Sequence, residues 1–241
     1  MTQIVLGAGL AAVVALAAYR TRALTPRGAV AAFAVGTAVF GAGGWPGAAV
    51  LFAFFLPSAL LSRGAQSRNE WQVLANGGVA AACAIAAARG SAPFAAAFAG
   101  AFAAASADTW GTEIGTRLGR APISILTFRR VPVGRSGGVT LAGTVATAGG
   151  ALCVGIVAAL VHLAPVWSVT LAGIAGALLD SILGASVQAL RWCPSCGCEC
   201  ETRSHDCGTP AVLRRGMSWI ENDAVNFAAT LCGAAVAALI G

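Results

Sequence analysis

Apolar residues run through this chain in long blocks, and polar residues collect in the gaps between them. A membrane-crossing helix needs about 20 predominantly apolar residues, and on that measure the pattern predicts eight segments, roughly 3–19, 28–44, 46–61, 73–88, 93–114, 138–163, 166–190 and 222–240. Several are short, so tilted, re-entrant or broken helices are expected. The first block does not read as a cleavable signal: no basic stretch precedes it, and Tyr19-Arg20 follows it instead of a small-residue cleavage site, so it is expected to stay as a helix.

Composition supports this pattern. Of the 241 residues, 58% are hydrophobic and 10% charged, with a mean hydropathy of +0.79. A soluble domain carries roughly 25% charged residues, so there is too little charge here to coat a water-facing surface. Soluble, disordered, collagen-like and disulfide-rich secreted classes are excluded. The expected fold class is all-α: a polytopic transmembrane helix bundle forming one integral membrane domain over 1–241, with a Cys-rich insert at 191–215. Abundant Ala and Gly suit close helix packing in lipid. All 15 basic residues are Arg, which excludes P-loop kinases, Schiff-base enzymes and a Lys general base.

Charge gives an orientation. Arg20, Arg22, Arg27, Arg63, Arg68, Arg117, Arg120, Arg129, Arg130, Arg135, Arg191, Arg203, Arg214 and Arg215 fall in odd-to-even loops, and Arg89 alone in an even-to-odd loop. The positive-inside rule makes the first set cytoplasmic, which puts both termini outside. The acids follow the same side: Glu70, Asp108, Glu113, Asp180, Glu199, Glu201, Asp206, Glu221 and Asp223. Long loops on one face account for Glu70 and the acids of the insert. They do not account for Asp108, Glu113 and Asp180, which interrupt apolar runs. A charged group at the bilayer centre costs about 2.5–3.5 kcal/mol on insertion scales, and such residues point to function.

Four further features join them. Asp108-Thr109 and Asp180-Ser181 each follow a small-residue run, as in a short parallel repeat that brings two acids together. Gln72 and Asn76 share a helix face at i,i+4, as do Asn222 and Asn226, with Asp223 beside them. Capping explains one polar residue per helix start, not a second one turn deeper. Arg129, Arg130, Arg135, Ser136, Gly137 and Gly138 lead into the sixth segment, where backbone N–H groups and guanidinium forks can bind an anion. Hard oxygen ligands for Mg²⁺ beside donors for phosphate describe a magnesium-phosphate site, with Asp108, Glu113, Asp180 and Asp223 as the Mg²⁺ ligands and catalytic acids.

Five of the eight Cys crowd CPSCGCECETRSHDC, with His205 among them. Cys193-Pro-Ser-Cys196-Gly is a zinc-knuckle half-site, and His205-Asp-Cys207 supplies a second pair. Cys193, Cys196, His205 and Cys207 are the expected ligands of a structural Zn²⁺, with Cys198 or Cys200 able to replace one. Cys83, Cys153 and Cys232 lie in apolar runs and read as core residues; His162 is assigned no role.

The strings QVLANGG, ADTWGTEIG, VPVGRSGGVT, GALLDSILGASVQ and ENDAVNF, in this order, resemble the integral-membrane family that includes plant phytyl-phosphate kinase and animal transmembrane protein 19. The resemblance runs from about residue 30 to the end. It implies a membrane kinase that transfers a phosphoryl group from a nucleoside triphosphate, CTP or ATP, to an isoprenoid monophosphate, giving the diphosphate. The family's motif residues fall on Asn76, Asp108, Glu113, Gly137, Gly138, Asp180, Asn222, Asp223 and Asn226. Arg135-Ser136 stands where the family commonly has Thr-Asn, and the Cys-rich insert is absent from its eukaryotic members. The expected partners are the bilayer, the prenyl phosphate and the nucleotide; no nucleic acid is expected, and a homo-oligomer is compatible with the sequence. The competing reading is an ion-coupled transporter using the buried carboxylates. Against it, the outer half of the chain is almost free of polar groups.

Overall fold

The computed structural model describes residues 2–62 and 66–241; Arg63, counted among the loop charges, lies outside them. The chain runs α1 (Thr2–Arg20), α2 (Pro26–Leu61), α3 (Glu70–Ala87), α4 (Ala92–Leu118), β1 (Ile123–Ser124), β2 (Gly138–Val139), α5 (Leu141–Leu160), α6 (Val166–Ser186), β3 (Leu190–Cys193), β4 (Cys198–Cys200), β5 (Val212–Arg215) and α7 (Asn222–Ile240). Among them α1, α2, α5, α6 and α7 are long and apolar enough to cross a membrane.

Two segments expected between 28 and 61 form one helical element, α2, reversed at Gly44 (φ 58°, ψ −149°). That left-handed conformation suits a residue without Cβ, and Pro46 starts the second arm. The reversal is a hairpin. Thr25, at the start of α2, donates its N–H to the Arg68 carbonyl, and Ser62, just past its end, accepts from the Arg68 guanidinium. Gly44 sits instead beside Gln3, at the start of α1. The expected eight arms are therefore present.

Other boundaries shift for local reasons. Asn69 caps α3 in a reciprocal capping box with Gln72, so α3 begins at Glu70. Gly138 and Val139 pair with Ile123 and Ser124 as a two-residue ladder, and α5 begins after the Thr140 cap rather than at 138. The segment expected to reach 190 stops at Ser186, because Leu190 enters a small antiparallel sheet of order β4-β3-β5. Sequence reading anticipated a metal-bound loop there and no strands.

At the centre stands α4, packed against α2, α3, α5, α6 and α7. Ala99, Ala101, Phe102, Ala103, Ala104 and Ala107 are fully buried. Phe102 stacks on Phe54 and meets Phe98 edge-on. The alanine run is what the geometry demands. At the α4–α7 crossing, any Cβ on Gly100 would collide with Ala237 and the Gly233 carbonyl. Backbones this close gain dispersion and Cα–H contacts, which carry helix association where lipid removes the hydrophobic driving force. The α4–α6 contact sets Ala103 against Gly173 and Ala104 against Gly176. The nearly constant sequence offset means parallel helices in register, which carries Asp108 and Asp180 to the same level.

All the helix ends that bear chemistry meet at one face: the last turns of α4 and α6, the first turns of α3, α5 and α7, and both ends of α2.

Candidate functional site at the polar face

A polar cavity of about 130 Å³ opens at this face, lined by Arg68, Gln72, Asn76, Asp108, Thr109, Thr112, Glu113, Asn222 and Asn226. Its walls come from the N-terminal turns of α3 and α7 and the C-terminal half of α4. Helix periodicity sets the lining: Gln72 and Asn76, Asp108 and Thr112, Thr109 and Glu113, and Asn222 and Asn226 are each one turn apart.

The cavity is built to hold a charged ligand. Arg68 is half-buried: it donates to Ser62 at 3.0 Å and shares the cavity lining with Glu113 and Asp108. Burial pulls the Arg68 pKa down, and Glu113 and Asp108 oppose that shift. Glu113 also pairs with Arg117 at 3.1 Å. Asn76 donates to the Gln72 carbonyl at 2.8 Å, leaving its amide oxygen for the cavity. Gln72 is divided: its side-chain oxygen accepts from the Asn69 N–H at 3.0 Å, so the capping role competes for it.

Asp180 stands behind Asp108, outside the cavity wall. The two carboxyl groups face each other across the α4–α6 contact. Asp180 Oδ2 is buried without a hydrogen-bond partner. Two facing carboxylates in a dry bundle call for a proton or a cation between them. Asp108 and Glu113 on the cavity lining and Asp180 behind it offer hard oxygen donors of the kind Mg²⁺ takes, though they are not drawn into one tight cluster as the insert's Cys and His are.

The structure thus brings Gln72, Asn76, Asp108, Thr109, Glu113, Asn222 and Asn226 into one cavity, with Asp180 behind it. It does not bring in the others. Asp223 lies in the first turn of α7 but off the cavity lining. Arg129 and Arg130 are exposed. Arg135, Ser136, Gly137 and Gly138 form a neighbouring loop seated on the last turns of α6, with Gly137 against Ala185 and Ser136 against Gly184. Arg68 and Thr112 were missed as site residues. Arg68 carries no helical signal, because it precedes the Asn69 cap in extended backbone bridged to Leu24; the contact with the start of α2 is what aims it at the cavity.

A second, apolar cavity lies between α1, the two arms of α2 and α3. Its walls include Leu10, Val14, Phe40, Leu51, Phe55 and Phe102. Arg68, Gln72 and Asn76 line both cavities, so the two adjoin at these residues.

In the insert, the donor atoms of Cys193, Cys196, His205 and Cys207 all lie within 4.8 Å of one another. With metal–sulfur bonds of about 2.3 Å, that is a set one tetrahedral ion can draw together. His205 turns Nδ1 toward Cys207 (3.2 Å) and Nε2 toward Cys198 (3.5 Å), which leaves Cys198 outside the four. Hydrogen bonds with Thr209 and His205 bring the Cys207 thiol down to about 6, while its contact with Cys207 pushes Cys196 up to about 12.

The chain matches the model described as integral membrane protein DUF92 over residues 9–234. It belongs to the DUF92 family of integral membrane proteins. Protein PGR of Arabidopsis thaliana is 28% identical over 92% of this chain and 90% of its own length. An uncharacterized membrane protein of Synechocystis sp. is 28% identical over 98% of this chain and 89% of its own length. No solved structure matches. The family resemblance read from the five strings agrees with these matches. In this DUF92 chain the strings are not scattered: QVLANGG, ADTWGTEIG and ENDAVNF wall the polar cavity, and VPVGRSGGVT packs on GALLDSILGASVQ beside it.

Proposed function

We propose that this protein is a membrane phosphotransferase that moves a phosphoryl group from a nucleoside triphosphate to an isoprenoid monophosphate, using Mg²⁺. The observation that carries the reading is the adjoining pair of cavities. One is apolar and fits a prenyl chain; the other is polar and acid-lined; Arg68, Gln72 and Asn76 stand at the boundary. That is the arrangement an amphiphile with a charged head requires.

In this reading the monophosphate head lies against Arg68, whose guanidinium neutralises it, and Asn76, Asn222 and Asn226 orient its oxygens. The nucleotide enters from the polar face, read as cytoplasmic. An acceptor oxygen attacks the γ-phosphorus; the bond from that phosphorus to the bridging oxygen breaks, and the nucleoside diphosphate leaves with the electron pair. The acceptor is already ionised near neutral pH, so no residue need remove a proton. Asp108, Glu113 and Asp180 would hold Mg²⁺, which supplies charge neutralisation on the transferred group. The rest is positioning.

Purified protein assayed with labelled ATP and CTP against phytyl and geranylgeranyl monophosphates, with and without Mg²⁺, tests this. Asp108→Asn should abolish transfer while the protein still extracts and unfolds like the wild type. Near wild-type transfer by that variant, or Mg²⁺-dependent ion flux with no transfer, would refute the proposal; the second outcome is what a carrier would give.

A further inference from the structure

The loop assigned to phosphate already holds an anion, and the anion comes from the Cys-rich insert. Glu201 accepts from the Ser136 N–H at 2.9 Å, from the Ser136 hydroxyl at 2.6 Å and from the Gln188 amide at 2.9 Å. Gln188 is only 3% exposed and also donates to the Ser136 hydroxyl at 3.0 Å. Arg135 is paired with Glu199, as is Arg214 more loosely at 3.9 Å. Backbone N–H, hydroxyl, amide and guanidinium are all donors converging on one carboxylate and its neighbour. Gly134 and Gly137, with φ of 82° and 75°, give the loop its turn.

The strand that delivers the two acids suits this task. In an extended segment alternate residues share a face, so Glu199 and Glu201 point one way and Cys198 and Cys200 the other. Strand β4 pairs with β3 alone, at the edge of its sheet. The four clustered ligands bracket it: Cys193 and Cys196 precede it, and His205 and Cys207 follow it. An ion joining those four ties both ends of the segment and fixes where Glu199 and Glu201 can reach.

The geometry points to the insert acting as a tethered competitor. Glu201 and Glu199 occupy the oxyanion site formed by Arg135, Ser136 and Gln188, and a metal on Cys193, Cys196, His205 and Cys207 holds them there. The ligand class excluded is a phosphate or diphosphate oxyanion, and the inference rests on the phosphate reading of this loop. A tethered carboxylate competes at a high effective concentration, so a free anion must be polyvalent or abundant to displace it. Loss of the metal would open the site.

The test uses full-length protein in detergent, inorganic pyrophosphate as probe, and calorimetry without Mg²⁺. Zinc-loaded wild type should bind weakly. Glu201→Ala should bind at least about tenfold tighter, Glu201→Gln should fall between, and wild type stripped with a zinc-selective chelator should approach Glu201→Ala. Adding Arg135→Ala should remove the gain, whereas Arg120→Ala, which removes a charge from the same face, should leave it. Unchanged or weaker binding by Glu201→Ala overturns the inference, as does a gain that survives Arg135→Ala. If Glu201→Ala does not fold, Glu201→Gln and the chelated wild type decide. Tighter pyrophosphate binding with no prenyl-phosphate transfer would sink the kinase reading alone. Transfer with unaltered pyrophosphate binding would sink the competitor alone.

Discussion

Asp180→Asn should make the metal-free protein more stable and the metal-bound protein less so. In the structure Asp180 Oδ2 is buried with no partner, and the carboxyl group faces Asp108. A buried unsatisfied polar group costs about 1–3 kcal/mol, which the metal-free pair can relieve only by taking up a proton. An Asn amide would instead donate to the Asp108 carboxylate. The expected gain without divalent ions is therefore about 1–3 kcal/mol, or about 2–12 °C in Tm for a chain of this size. Mg²⁺ reverses the order. At about one hundred times its Kd, a ligand specific to the folded state stabilises by about 2.7 kcal/mol, and the wild type should gain that while Asp180→Asn gains little. Intrinsic Trp fluorescence melts in detergent, with and without Mg²⁺, read both effects. A variant that melts below the wild type in the absence of Mg²⁺ would show that Asp180 is a structural acid, and the shared-cation argument would fail with it.

Three other outcomes follow from the packing and the insert. Burial works against ionisation of Glu221, but Arg203 and Arg191 win and hold its pKa below the ordinary 4.5. Its contribution is therefore complete above pH 4.5 and is lost as pH falls through the lower, folded value, so hydrogen exchange of the insert's amides, corrected for its intrinsic pH dependence, should speed up at the acid end, less so in Glu221→Gln. Gly100→Val should cost at least about 1–3 kcal/mol through overpacking at the α4–α7 crossing, seen as loss of monodisperse protein on size exclusion; normal yield and Tm would contradict the close approach. Elemental analysis should find one zinc per chain in the wild type and a large loss in Cys193→Ser, whereas Cys200→Ser should retain it.

What the sequence revealed and what it hid divide along physical lines. Hydrophobic block length identified the eight arms because a bilayer imposes that length, and the i,i+4 pairs Gln72/Asn76 and Asn222/Asn226 were legible because helix period fixes which residues share a face. The Asp108–Asp180 meeting was suggested by matching small-residue runs, and it holds because the Gly173 and Gly176 contacts keep α4 and α6 in register. Helix ends were less legible, since they are set by partners distant in sequence: Gly138 and Val139 leave α5 to pair with β1, and Leu190 leaves α6 to pair with β5. Arg68 was hidden for a different reason. A loop arginine reads as a topology signal, and the backbone bridge to Leu24 that turns Arg68 into the cavity joins residues far apart in sequence. The engagement of Ser136 by Glu201 was the least accessible, because sixty-five positions separate the partners and no local pattern couples them. That contact changes what the motif residues imply. Arg135 and Ser136, singled out as anion binders, are the residues paired with Glu199 and Glu201. The loop and the Cys-rich insert are then one packed unit, because the donors of the first are satisfied by the acids of the second.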